Sequence, residues 1–578
     1  MLNKLINNLS ENQNKIAIID DYNHFSYKEL NSLVKNIGQL LQSIDELNSR
    51  SAFITVFLPG GYHFVASVLA VIFSGHKYIP LDPNMGAQRL QHIYKQTNCL
   101  VITMACYQHL VPDDLQFLIL DESYPHTAWL PQHRQENECL YTIFTSGTTG
   151  TPKGAQVHLG GFTNVVNWYI EELTITGNDV ILIPSSVSFD LTQKNIFAAL
   201  VTGACLVFPS LSPFDPISIC QKITQFQVTK FNCTPSTLSL LSDTGQLDFF
   251  NSLNTIVLGG EQVSKSVIQL WLSKNPKIKF MNSYGPTECS DVVCFCWITE
   301  TMLFSKHPIP IGHAIPNTAL TLLETCLDED NLEIGEIVVT GKSVGLGYIN
   351  ATLNTSFKLK TNPRSYRTGD LGYFHQAFLY YKGRTDRQIK YNGSLVNLTE
   401  IEHCLLTHPA IINAYVSLYR DNNILVAWYQ LKRYETITVD QIQFYLKNQL
   451  PKYMQPSMVI PKNIFPLNYN NKVDGNQLIK ELDATNAEIK VFCNDSVSDF
   501  LYDSIKKITG KSIFSSSQPI AMLGMNSLQM IQFLNRINRK YDLKMMPREF
   551  VSLNTLEDVV NLINKLQREG DNSDYIII

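Results

Sequence analysis

Tyr141-Thr142-Ile143-Phe144-Thr145-Ser146-Gly147-Thr148-Thr149-Gly150-Thr151-Pro152-Lys153-Gly154 is an apolar run that breaks into Gly, Ser and Thr and then presents a lysine. The run reads as a β-strand and the polar burst as a loop. Such a loop offers backbone N–H groups, hydroxyls and one ammonium to a polyphosphate. Its glycines permit close backbone approach and positive φ. It is not a Walker loop, which requires G-x-x-x-x-G-K-[ST]; here Pro152 precedes Lys153 and Gly154 follows it. A lone Gly/Thr loop is equally an ordinary turn, so the remainder of the chain has to decide.

Working outward, strands alternate with helices. Ser26 is placed to cap a helix with Glu29 three residues on, and apolar positions continue through Leu33, Ile37 and Leu40-Leu41. Ala52 to Leu58 reads as a short strand, His63 to Phe73 as a helix, and the segment from Gly75 ends in a rigid turn at Pro83. This alternation predicts a parallel α/β architecture. After the loop, Ser188-Phe189-Asp190-Leu191-Thr192 lies between a strand-like run and the helix-like Ile196 to Leu200. Asn282-Ser283-Tyr284-Gly285-Pro286-Thr287-Glu288, Tyr366-Arg367-Thr368-Gly369-Asp370-Leu371 and Gly383-Arg384-Thr385-Asp386-Arg387 follow. A second, smaller α/β pattern starts near Ile389, with Asn397 or Thr399 able to cap a helix. Asn470-Asn471-Lys472-Val473-Asp474 closes it. Beyond a polar stretch, helical patterns run over Val497–Ile508, Leu528–Arg539 and Leu556–Leu566.

The chain has 578 residues, enough for about three or four domains. A hydrophobic content of 44% and a charged content of 17% fit a soluble protein with sizeable cores. A net charge of −5 gives no electrostatic reason to expect nucleic acid or an anionic membrane. Twelve cysteines show no C-x-x-C pairs, which reads as free thiols in a reducing compartment. Cys294 and Cys296 read as strand side chains. The N-terminus lacks a signal-peptide apolar region, and no apolar run approaches about 18 residues. The expectation is a cytoplasmic protein without a membrane segment.

The order TSGTTGTPKG resembles the phosphate loop of the adenylate-forming superfamily, which includes acyl-CoA synthetases, luciferases and the adenylation domains of nonribosomal peptide synthetases. The other motifs resemble the adenylation-domain set in order, and the likeness runs from about Phe25 to Leu566. It implies an α/β large adenylation subdomain (1–385), a small α+β C-terminal subdomain (386–482), a linker (483–495), an all-α carrier helical bundle (496–570) and a disordered tail (571–578). It implies that Thr145, Ser146, Gly147, Thr148, Thr149, Gly150 and Lys153 handle the ATP phosphates. Tyr284 would face adenine, Thr287 the phosphates and Glu288 an Mg²⁺ ion. Asp370 would bind the ribose hydroxyls, with Arg384 on ribose or phosphate. Asp386 would be the hinge and Lys472 the mobile catalytic lysine, stabilising charge at phosphorus. Ser527 would carry 4′-phosphopantetheine.

In that resemblance Asp190 pairs with a substrate α-ammonium, which argues for an amino acid over a fatty or aryl acid. The side-chain pocket becomes Leu191, Lys194, Asn232, Val257, Gly259, Ser283, Asp291 and Val292. If Lys194 and Asp291 neutralise each other, the pocket suits a small polar amino acid such as homoserine, threonine, serine or asparagine. If they do not, Lys194 favours an acidic side chain and Asp291 a basic one. Three positions depart from the family pattern: Asn471 for Gly, Gly475 for Arg and Asn526 for Asp.

The expected reaction joins ATP and an amino acid to give an aminoacyl-AMP, then loads the carrier thiol. The implied partners are a phosphopantetheinyl transferase, a downstream condensation, tailoring or transfer enzyme, and a small accessory protein. A condensation motif and a thioesterase elbow are not found, so the loaded amino acid is expected to pass to another protein. The alternatives are a ligase using free coenzyme A and a scaffold without catalysis. Lys472, Asp370 and Glu288 argue against the scaffold.

Overall fold

Ser26 starts a helix as its sequence predicts. Its hydroxyl accepts from the Glu29 N–H and the Glu29 carboxylate accepts from the Ser26 N–H, a complete capping box. Such caps contribute about 1 kcal/mol. The helix, α2 (Tyr27–Gln42), follows α1 (Leu2–Glu11) and precedes α3 (Tyr62–Phe73) and α4 (Ala87–Thr97). Two further helices matter for the site, α5 (Leu159–Glu172) and α6 (Asp190–Thr202). The computed structural model describes residues 1–21, 23–44, 51–85, 87–120, 129–145, 152–209, 215–244, 246–247, 250–327, 332–384, 388–391, 394–419, 424–431, 437–463, 465–466, 473–487, 496–509, 520, 525, 527–541, 543, 545, 550, 553 and 555–571.

The chain divides into two compact units, the first formed by 1–147 and 151–396, the second beginning at Asn397. In the first unit a nine-stranded sheet runs in the order His313–Ala314, Cys294–Trp297, Lys279–Tyr284, Thr255–Gly259, Lys230–Cys233, Val180–Leu182, Cys205–Phe208, Ile16–Asp20 and Asn23–Ser26. Its interior strands are parallel and its edges antiparallel. A seven-stranded sheet places Cys139–Thr145 between Lys77–Leu81, to which it is parallel, and Lys153–His158, to which it is antiparallel. One apolar core joins residues of both sheets to α1, α2, α3, α5 and α6. A third, five-stranded sheet carries Ser365–His375 and Phe378–Arg384. Cys294 and Cys296 are free thiols on a strand, as expected.

The second unit contains a small sheet of Ile411–Tyr419, Ile424–Leu431 and Met458–Pro461, with helices Leu398–Leu406, Val439–Gln449 and Gly475–Ala487. Asn397 caps the first of these, its side chain accepting from the Thr399 N–H at 2.9 Å. The helix Gly475–Ala487 continues five residues into the segment 483–495 expected to be linker. Leu482-Asp483-Ala484-Thr485-Asn486 contains no Gly or Pro to stop it; 488–495 lie outside the described residues, as do 572–578 of the expected tail. Helices Ser496–Thr509, Ser527–Tyr541 and Leu556–Asp571 share a separate apolar core that includes Leu501, Ile505, Phe533, Ile537, Val559 and Ile563. Among the described residues no helix is long and apolar enough to cross a membrane.

Candidate functional site

The site is built around α6. Its first half is polar, yet Thr192, Gln193, Lys194 and Asn195 are buried. Burial of such groups is tolerable only where each finds a partner. The Thr192 hydroxyl donates to Ser186 O at 2.7 Å. The Gln193 amide donates to Val187 O at 2.7 Å and accepts from the Tyr78 hydroxyl at 2.9 Å. The Asn195 amide donates to Leu191 O at 2.7 Å and accepts from the Tyr169 hydroxyl at 2.7 Å. The Lys194 ammonium meets Asp291 Oδ2 at 2.6 Å and Leu191 O at 3.3 Å, and lies 5.5 Å from the centre of the Tyr169 ring. At the far end Gly203 terminates α6 in the left-handed region, and Asn8 of α1 donates to the carbonyls of Leu200 and Val201.

Asp291 reaches Lys194 by a tight reversal. The chain leaves the strand Lys279–Tyr284, makes one 3₁₀ turn at Thr287–Cys289, and passes Ser290 and Asp291 with φ of 61° and 80°. Aspartate tolerates that left-handed region better than most residues. The reversal lays the Asp291 carbonyl so close to Gly285 that a Cβ there would stand 2.0 Å from it. Gly285 is thus required by close approach. Burial pushes the Asp291 carboxyl up to about 6, with Lys194 opposing the rise.

The pocket residues come together from α6, this reversal and three neighbouring strands. Asn232 is in register with Val257, and Gly259 with Ser283. Because strand side chains alternate, these four share one face of the sheet. Leu191 Cδ1 lies 3.5 Å from where a Gly259 Cβ would stand, and Ser283 Oγ 2.9 Å. Val292 is buried. The Ser283 hydroxyl donates to Leu258 O. The Asn232 amide lies beside the Tyr169 hydroxyl, and among the described residues neither of its polar atoms meets the geometry of a full hydrogen bond.

At the mouth, the half-buried Asp190 carboxylate accepts from the Thr287 hydroxyl and from the Leu191 N–H. Among the described residues none forms an ion pair with Asp190. Asp370 stands opposite Arg384 in register, and its carboxylate takes the Arg384 guanidinium at 2.5 Å on one oxygen and the Tyr284 hydroxyl on the other. A carboxylate has about four lone-pair sites, so Asp370 retains capacity to accept further hydrogen bonds. Glu288 is buried and accepts from the Tyr348 hydroxyl at 2.5 Å; desolvation raises its carboxyl, and that bond opposes the rise. Among the described residues no cluster of three His, Cys, Asp or Glu could hold a metal. A single buried carboxylate still fits Mg²⁺, which keeps several waters and shares phosphate oxygens.

Thr145 and Lys153 face each other in register at the two ends of the loop. Its central residues, Ser146, Gly147, Thr148, Thr149 and Gly150, lie outside the described residues. Helix α4 holds both ends: Arg89 donates to Phe144 O at 2.8 Å and Gln96 to Pro152 O at 2.9 Å. Asp386 and Lys472 also lie outside the described residues. The Asp474 N–H donates to Pro466 O at 2.8 Å. Ser527 is the first residue of the helix Ser527–Tyr541.

Sequence reasoning missed Tyr169, Asn195, Tyr348 and Arg89. Tyr169 sits in an apolar helix and reads as core; nothing local marks its contact with a lysine 25 positions on. Tyr141, inside the quoted stretch, has a buried hydroxyl without a hydrogen-bond partner among the described residues, and burial raises it well above the ordinary phenol range.

The family model described as AMP-binding enzyme matches residues 6–349, and that described as phosphopantetheine attachment site matches 499–563. Tyrocidine synthase 2 of Brevibacillus parabrevis is 27% identical over 575 residues, covering 95% of this chain and 15% of that protein. Tyrocidine synthase 1 of the same organism is 27% identical, covering 98% of this chain and 53% of that protein. The chain thus spans about half or less of these relatives. Holo-PA1221, a solved nonribosomal peptide synthetase protein with adenylation and carrier domains, superposes with a TM-score of 0.81 at 23% identity, covering 98% of this chain and 96% of that one. That likeness shows a shared fold.

Proposed function

Because the chain belongs to the AMP-binding enzyme family and carries a phosphopantetheine attachment site, we propose that it activates a small polar amino acid and loads it onto its own carrier domain. An oxygen of the amino acid carboxylate attacks the α-phosphorus of ATP, and pyrophosphate leaves. The bond from the acyl carbon to the AMP oxygen is then broken as the aminoacyl group passes to the carrier domain, and AMP departs. Ser527 would hold the phosphopantetheine, which would supply the thiol for that transfer.

The observation that carries the amino-acid reading is Asp190, a half-buried carboxylate at the start of α6 with hydroxyl and N–H donors but no ion-pair partner among the described residues. An α-ammonium is the group that completes it. The Lys194–Asp291 pair supports a neutral side chain, and the buried Asn232 amide, which has no full hydrogen bond among the described residues, supports a polar one. A bulky apolar side chain would leave these groups stranded. Glu288 would hold Mg²⁺, which neutralises phosphate charge. Lys472 would stabilise the charge that builds at phosphorus. A phosphopantetheinyl transferase and a downstream acceptor follow as partners, in the cytoplasm.

Amino-acid-dependent ATP–pyrophosphate exchange tests the reading, with homoserine, threonine, serine and asparagine expected to lead. Lys472→Ala should lower exchange by about 10²-fold or more; an unchanged rate removes Lys472 from the chemistry. Ser527→Ala should spare exchange and abolish covalent loading. Loading that persists, or release of an aminoacyl-coenzyme A, would point to a different acceptor.

A further inference from the structure

A buried lysine has four rotatable bonds and goes where its partners hold it. Lys194 is fully buried, and three contacts place its ammonium: Asp291, the Leu191 carbonyl and the face of the Tyr169 ring. Two of these belong to α6 itself or to the strained turn at Asp291. The ring alone comes from α5, a separate element. A cation desolvated against an aromatic face is attracted by the ring quadrupole.

Tyr169 is itself immobilised. It is 2% exposed, and its hydroxyl donates to Asn195 Oδ1. The Asn195 amide nitrogen in turn donates to Leu191 O, the same carbonyl that receives Lys194. The contacts close a ring: Tyr169 hydroxyl to Asn195, Asn195 to Leu191 O, Leu191 O to Lys194, and Lys194 back to the Tyr169 face. The tyrosine also lies beside the Asn232 amide. One side chain outside the pocket thus touches the pocket's cation and neighbours its buried amide.

We propose that Tyr169, supported by Asn195, is a positioning residue that sets side-chain selectivity by keeping Lys194 on Asp291 and out of the pocket. The inference rests on the reading of this pocket as the amino acid site. A lysine released from the ring can turn toward the substrate and present a positive charge. The pocket then favours acidic side chains over neutral polar ones.

The test uses the full chain and ATP–pyrophosphate exchange with the best neutral polar amino acid, aspartate and glutamate. Tyr169→Leu should raise KM for the neutral amino acid about tenfold, leave kcat and the KM for ATP within about twofold, and raise the acidic-to-neutral ratio of kcat/KM about tenfold. Tyr169→Phe keeps the ring and should keep most of the selectivity. An unchanged ratio in Tyr169→Leu, or a uniform fall in kcat for every substrate, overturns the proposal. If Tyr169→Leu does not fold, Asn195→Leu asks the same question, and an unchanged ratio there overturns it equally. Asp291→Asn is the control. A ratio that shifts in this control but not in the Tyr169 variants leaves the pocket reading standing and removes Tyr169 from it. A ratio that shifts in neither removes both.

Discussion

The first unit contains two buried lysine–carboxylate pairs of the same length. Lys230–Asp179 and Lys194–Asp291 both span 2.6 Å, with side-chain exposures of 8% and 9% in the first and 1% and 9% in the second. By distance and burial they are nearly one interaction. They differ in place: Asp179 precedes one parallel strand and Lys230 opens the next, at the amino ends of the sheet. Asp291 follows the carboxyl end of Lys279–Tyr284, the side on which open α/β sheets bind ligands. They also differ in saturation. Asp179 accepts from the Thr176 N–H at 2.8 Å, the Thr176 hydroxyl at 3.2 Å and the Thr229 hydroxyl at 2.7 Å besides Lys230. Burial pushes its carboxyl up, but the hydrogen bonds from Lys230, Thr176 and Thr229 outweigh that and hold it below the usual range. Among the described residues, Lys194 is the one hydrogen-bond donor to the Asp291 carboxylate, and burial wins there. A pair with every lone pair filled is part of the frame. A pair with open valences beside the buried Asn232 amide is what the proposed pocket needs.

The largest effect expected from this contrast is on stability. Asp179→Ala leaves Lys230 buried without its carboxylate and should cost about 3–5 kcal/mol in urea unfolding. The rank order of amino acids in the exchange assay should stay as it was. A reordered rank with normal stability would erase the distinction between the pairs. Next comes selection. Asp291→Asn should move the acidic-to-neutral ratio about 10- to 100-fold toward acids, and Lys194→Met should move preference toward basic side chains such as ornithine and diaminobutyrate. The double variant carries neither charge and should return toward neutral substrates. A double variant that keeps the acidic preference of Asp291→Asn would show that Lys194 is not the cation that Asp291 neutralises.

The amino acid order makes some of this legible and hides the rest for physical reasons. The strand into the phosphate loop, the Ser26 capping box and the Asn397 cap follow from local rules, and the structure has them. The start of α6 does not. Sequence places helical character at Ile196 to Leu200, whereas the helix begins at Asp190. Its first half has no apolar period, because its polar residues are buried against the nearby Ser186 and against Tyr78, Tyr169 and Asp291, partners distant in the chain. In the sequence the Lys194–Asp291 pair is one of two alternatives, and its 97-residue separation explains why spacing alone does not decide. Gly475, which departs from the family's arginine, has a reason in its surroundings: a Cβ there would stand 2.0 Å from the Tyr415 hydroxyl. Lys472 and Asp386 were legible only through their motifs and lie outside the described residues.

The smallest expected effect separates the pairs without a mutation. Asp179 has its carboxyl held below the ordinary value, so the stability it contributes is present above the unfolded value and fades only as pH falls through the folded one. Asp291 is raised to about 6, so its sign is opposite: its contribution to stability is full at low pH and is lost as pH rises through about 6. Between about pH 7.5 and 5.5, therefore, neither pair should weaken the fold. The charge of the pocket changes all the same. Protonation of Asp291 leaves Lys194 as a cation without a counterion. An aspartate or glutamate substrate keeps its side-chain charge across this range. The acidic-to-neutral ratio in wild-type exchange should rise about fivefold on acidification. Taking a ratio cancels whatever pH does to the chemistry common to both substrates. In Asp291→Asn the ratio should be high at both pH values and flat between them. A flat wild-type ratio, or the same slope in the variant, would mean that Asp291 stays ionised against Lys194 and that the two buried pairs are alike after all.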